Sequence, residues 1–124
     1  MSKIILGKRP DFIESTVKFP MPDGEEATIG VKYKYRTRTE YADFLDKTVA
    51  AGSAGAGDEK TLREMAERGV KSDAAHLADI LVGWDLDEKL TPESLAQFSD
   101  ELPAGVAAIL SDYGARIREG RLGN

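Results

Sequence analysis

Three stretches of this chain combine residue types at spacings that suggest chemistry. Gly52-Ser53-Ala54-Gly55-Ala56-Gly57-Asp58-Glu59-Lys60-Thr61 resembles a phosphate loop. Such a loop needs Lys directly after its second glycine, so that ammonium and backbone amides converge on the phosphates. Here Asp58 and Glu59 intervene, and their carboxylates repel an anion. The run is read as a flexible Gly/Ala linker. Asp85-Leu86-Asp87-Glu88-Lys89-Leu90 resembles the start of a calcium loop. That loop requires an oxygen ligand at its fifth position, Gly at the sixth and Glu at the twelfth. Lys89, Leu90 and Ala96 hold those places, so the segment reads as a capped inter-helix turn. His76 lies near Ser72, Asp73 and Asp79. A catalytic triad draws its members from segments that converge in space, whereas His and Ser four apart on one helix form a surface pattern. Trp84, Tyr33, Tyr35, Tyr41 and Tyr113 offer rings for stacking bases or sugars, yet each falls on the apolar phase of its element and reads as core. No catalytic, cofactor-binding or metal-binding residue is assigned. With no Cys and one His among 124 residues, thiol catalysis, disulfides and His-rich metal sites are excluded within one chain.

Charge narrows the partners. The formal net charge is −5. Residues 1–38 hold 8 Lys and Arg against 5 acids, and residues 39–124 hold 9 against 17. Lys32, Lys34, Arg36 and Arg38 alternate, and on a strand they share one face. Nucleic-acid binding needs clustered basic charge to displace counterions. The acidic remainder favours a solvated strand face instead, and no nucleic-acid partner is expected. The longest apolar runs fall far short of the roughly 20 residues that span a bilayer. Lys3-Ile4-Ile5-Leu6 is too short for a secretory signal, so a cytoplasmic setting without a membrane partner is expected.

The elements follow from periodicity. A hydrophobic fraction of 41% supports one core, expected as a single domain over 1–124. Ile13, Val17 and Phe19 alternate with polar residues, as do Ala27, Ile29, Val31, Tyr33 and Tyr35. Pro20-Met21-Pro22-Asp23-Gly24 between them carries turn chemistry, which predicts a β-hairpin over 12–36. A lone hairpin is marginal in water, so its apolar face must pack on the helices that follow. Thr37 and Glu40 form a capping box for a helix over 38–50, with Tyr41, Phe44, Leu45 and Val49 at helical spacing. Residues 51–58 are expected as a flexible loop and 59–119 as the helical part. Within it a short helix near 59–68 stops at Gly69, and a second, capped at Ser72 or Asp73, presents Leu77, Ile80, Leu81 and Trp84. Thr91-Pro92-Glu93 starts a third helix with Leu95 and Phe98 buried. Pro103 opens the last, with Val106, Ile109, Leu110, Tyr113 and Ile117 in its stripe, Gly120 at its end and a frayed tail over 120–124. The fold class is α+β: an N-terminal hairpin followed by about four helices.

The order of five segments carries a resemblance. They are Gly7-Lys8-Arg9-Pro10, Pro20-Met21-Pro22-Asp23-Gly24, and Tyr33-Lys34-Tyr35-Arg36-Thr37-Arg38-Thr39-Glu40. Gly83-Trp84-Asp85-Leu86-Asp87 with Leu90-Thr91, and Glu119-Gly120-Arg121-Leu122-Gly123-Asn124, complete the set. Together they resemble the tail assembly chaperones of long-tailed bacteriophages and prophages over nearly the whole chain. The resemblance implies a non-enzymatic protein of the host bacterial cytoplasm, absent from the mature virion and needing no cofactor. Its implied partners are the tape measure protein, the tail tube protein and a frameshifted long form of itself. Physical reasoning adds a candidate partner surface. Leu110 and Ile117 sit beside the main stripe of the last helix, where a groove edge would lie, and Trp84 and Tyr113 supply aromatic area. Two other readings compete. A structural tail component, a terminator or tube-completion protein, would be expected to carry a larger sheet than one hairpin. A small nucleic-acid-binding regulator would use the basic strand face around Lys32–Arg38.

Overall fold

In the computed structural model, residues 3–53, 57 and 60–119 are described. The alternating segments form strands β1 (Ile13–Pro20) and β2 (Glu26–Tyr33), paired antiparallel in the register Val17↔Ile29 and Ser15↔Val31. Asp23 Oδ1 accepts from the Glu25 amide, and Gly24 takes φ +89°, the left-handed backbone that its lack of Cβ makes accessible. Val17, Phe19, Ile29, Val31 and Tyr33 all point inward, and Lys18 and Lys32 outward. The result is the expected α+β fold.

Helix α1 spans Arg38–Ser53, three residues further than its stripe predicts. The Thr37 box is formed: the Thr37 amide donates to Glu40 and the Glu40 amide to Thr37 Oγ1, at 2.9 and 3.3 Å. Gly120, the tail 120–124 and residues 54–56 and 58 of the expected 51–58 loop lie outside the described residues, and 51–53 belong to α1 rather than to that loop.

Two expectations are corrected. Residues 62–80 form one helix, α2 (Leu62–Ile80), capped by Thr61, whose Oγ1 accepts from the Glu64 amide. Gly69 lies within it and Ser72 caps nothing. One helical glycine costs only about 1 kcal/mol relative to Ala, and the turns on both sides carry it. The second correction is β3 (Leu81–Trp84), which replaces the expected end of that helix. It completes a sheet of order β1-β2-β3. Leu81 lies opposite Tyr33 and Trp84 opposite Val31, so a bulge absorbs one residue.

Helix α3 (Pro92–Glu101) begins at the expected Thr91, with Pro92 in its first turn and Ser94 closing the box back to the Thr91 amide. Helix α4 (Pro103–Glu119) lays Val106, Ile109 and Tyr113 on the sheet. The inward face of the hairpin, with Leu77, Ile80, Leu95, Phe98 and these α4 residues, forms one continuous core. At Gly105 a Cβ would come within 2.7 Å of the Phe98 ring and 3.1 Å of Phe19, so α4 approaches as closely as it does only because that position is bare.

Candidate functional site

The His76 surroundings and the Asp85–Leu90 turn are put to structural use. Asp79 pairs with Arg36 at 3.2 Å, and Asp73 accepts from Ser99 at 2.9 Å. The acids beside His76 are thus turned towards other partners, and the buried His76 Nε2 has no hydrogen-bond partner among the described residues. A nucleophile, base and orienting acid do not converge there. Asp85 sits over Gly30: its amide donates to the Gly30 carbonyl, and a Cβ on Gly30 would lie 2.9 Å from its carboxylate. Trp84 Nε1 donates to the Glu88 carbonyl at 2.8 Å, which closes the turn. Among the described residues no three His, Asp or Glu gather closely enough to hold a metal ion.

The basic strand face is also revised. Strand β2 ends at Tyr33, and Arg36 turns into the core with 8% of its surface exposed. Its guanidinium donates to the Tyr113 hydroxyl at 2.9 Å and the Asp79 carbonyl at 3.2 Å, and lies 4.6 Å over the Phe44 ring. Lys32 stays outside, 4.8 Å over Phe12. A four-residue basic stripe therefore does not exist: the second half of the alternation is broken where the strand stops.

Tyr113 is the hub of this end of the core. Its ring packs against Tyr33, Tyr41 and Phe44, and its hydroxyl donates to the Lys34 carbonyl at 2.9 Å. Burial raises its pKa, while the Arg36 hydrogen bond pulls the other way. Tyr33 donates to Asp112 at 2.8 Å, and burial followed by that carboxylate pushes the phenol well above its ordinary range. Asp112 also accepts from Ser15, and Arg116 reaches the Glu14 carbonyl on the outer edge of β1. These groups are satisfied fixtures of packing, not poised acids or bases.

What remains available is surface. On α2 the stripe that is buried at Leu77 and Ile80 continues back to Leu62, about five turns before Ile80 on the same face. Leu62 is 84% exposed and Met65 53%. On α1, Tyr41 and Phe44 are buried, but Leu45 and Val49 one and two turns on are 41% and 71% exposed. Both helices thus carry their apolar faces beyond the body that covers them. A second feature is a groove of about 110 Å3 floored by Trp84, Leu86, Phe98 and Leu102 and rimmed by Glu88 and Glu101.

The four residues expected to touch a partner fall into separate places. Trp84 is half-buried in that groove, 5.9 Å from Phe98. Leu110 and Ile117 are half-buried on the flank of α4 that also carries Gly114, whose missing side chain admits the Tyr41 hydroxyl. Tyr113 is 1% exposed and presents no surface to a partner. The exposed apolar residues Leu45, Val49, Leu62 and Met65 are not legible as such in the sequence. Their helical spacing is the same as that of residues a core would cover.

Taken together, the fold and surface describe a small α+β protein with apolar helix faces left open. The family described as phage tail assembly chaperone matches residues 1–124, and the chain belongs to it. No curated protein and no solved structure matches the chain. Among the described residues, no helix is long and apolar enough to cross a membrane.

Proposed function

We propose that this chaperone acts without catalysis in the host cytoplasm, shielding apolar helical segments of the tape measure protein until tail tube subunits surround them. The tail tube protein and a frameshifted long form of the chain are its further partners, and the finished virion lacks it. One observation carries this reading: Leu45, Val49, Leu62 and Met65 extend the apolar stripes of α1 and α2 past the protein's own core. Exposed apolar surface on a small acidic protein is the natural seat for a helix with an apolar stripe of its own. The flank of α4 at Leu110 and Ile117 carries Gly114 against the Tyr41 hydroxyl, one turn before Leu45 on α1, and is assigned to the same partner.

Coexpression with the tape measure protein tests it. The wild-type chain is expected to keep the partner soluble and to co-purify with it. Leu45→Asp with Leu62→Asp should leave thermal unfolding unchanged and abolish that protection. Leu110→Asp and Ile117→Asp should weaken it. Full protection by the Leu45/Leu62 double variant would refute this seat, and recovery of the chain from purified particles would favour a structural tail component.

A further inference from the structure

The N-terminal arm and the Trp84 groove have matching chemistry and are not in contact within one copy. The arm carries Ile4, Ile5 and Leu6, of which Ile4 is 88% and Leu6 93% exposed. The Lys8 amide donates to the Ile5 carbonyl and Gly7 takes φ +87°, so Leu6 stands at the tip of a turn. Arg9 fastens the root of this turn: it donates two hydrogen bonds to Glu40, at 3.0 and 2.9 Å, and lies 5.5 Å over the Tyr35 ring. Lys3 and Lys8 flank the apolar triplet, and neither is in an ion pair among the described residues.

The groove is the complement. Its floor of Trp84, Leu86, Phe98 and Leu102 has room, at about 110 Å3, for one aliphatic side chain. Residues 85–101 hold six acids and one Lys. Among the described residues Asp85, Asp87, Glu88, Glu93 and Glu101 make no ion pair. Glu88 and Glu101 stand on the rim. An apolar side chain between two lysines fits an apolar floor between two carboxylates, and the charges orient the approach.

We propose that the N-terminal arm of one copy of this chain docks in the Trp84–Phe98 groove of a second copy, with Leu6 as the anchor. Each copy carries one arm and one groove, so two copies facing each other satisfy both reciprocally. This contact uses neither Leu45 nor Leu62 and is independent of the surface assigned to the tape measure protein.

Trp84 is the sole tryptophan, so its emission reads occupancy of the groove directly. The full chain is followed by sedimentation and by Trp84 fluorescence across a concentration series. Association is expected to shift the emission to shorter wavelength with the same midpoint, and to weaken as salt rises. Leu6→Asp should weaken association by roughly 30-fold or more, as the loss of a central anchor does. Glu101→Lys should also weaken it, and adding Lys8→Glu should restore it. Leu6, Lys8 and Glu101 are all exposed, and thermal unfolding confirms that the variants fold. A chain that is monomeric throughout, with constant emission, overturns the proposal. So does an unaltered association constant for Leu6→Asp. A monomer whose emission is already shifted, and is reversed by Leu6→Asp, would place the arm in its own groove and equally refute exchange between copies.

Discussion

Arg36→Ala distinguishes the two roles that sequence and structure give this residue. On a basic surface stripe its loss would scarcely alter stability. In the structure it removes a side chain that is 9% exposed, donates charged hydrogen bonds to Tyr113 and the Asp79 carbonyl, and forms an ion pair with the Asp79 carboxylate. Breaking a buried pair costs about 3–5 kcal/mol when the partner charge is stranded. Asp79 is not stranded: its side chain is 46% exposed and can be rehydrated. The Tyr113 hydroxyl also keeps the Lys34 carbonyl as its acceptor. The loss therefore falls to about 2–4 kcal/mol, from the hydrogen bonds and from the side-chain stem and stacking over Phe44. At this chain length that corresponds to roughly 10 °C in Tm. Arg36→Met, which keeps the stem, should recover about 1 kcal/mol of the loss. Lys32→Ala, on the outer face, should stay within about 0.5 kcal/mol of wild type. Urea unfolding followed by Trp84 emission measures all three. Equal stability of Arg36→Ala and wild type would refute the core assignment.

Other expectations rest on single features. Val31→Asp places a carboxylate on the buried face and should cost several kcal/mol, against little for Lys32→Asp; the reverse order in urea melts would put the strand register off by one. Glu40, hydrogen-bonded first by Arg9 and then by the Thr37 amide, is held down to about 2 from its ordinary 4.5. Its folded pKa is depressed, so its contribution is complete above about 4.5 and is lost as pH falls towards 2. Over that window Glu40→Gln should respond to acid less than wild type in thermal melts. Gly105→Ala drives a methyl against Phe98 and Phe19 and should destabilise by about 1–3 kcal/mol. Gly69→Ala, in an open stretch of α2, should stabilise by about 0.5–1 kcal/mol. Circular dichroism melts of both glycine variants check this pair of opposite signs.

Local chemistry fixed in the sequence reaches the structure wherever a short stretch suffices. The period of two around Pro20-Met21-Pro22-Asp23-Gly24 sets the hairpin and the inward faces of both its strands. Thr37 with Glu40, and Thr91 with Pro92, start α1 and α3 because a cap is satisfied within one turn of the chain. The start of β3 was not legible because Leu81 and Trp84 are three apart, a helical interval. The bulge opposite Lys32 and Tyr33 lets a strand place both on one face, and the bulge exists only when β2 lies alongside. Arg36 reads as one more alternating cation. It becomes a core residue because the distant Asp79, Tyr113 and Phe44 surround it and compensate its charge. The candidate surfaces divide in the same way. Leu77 and Leu62 fall on one stripe of α2, and the reach of the neighbouring elements covers the first and leaves the second exposed. Burial is a property of the assembled neighbours, which no local spacing encodes.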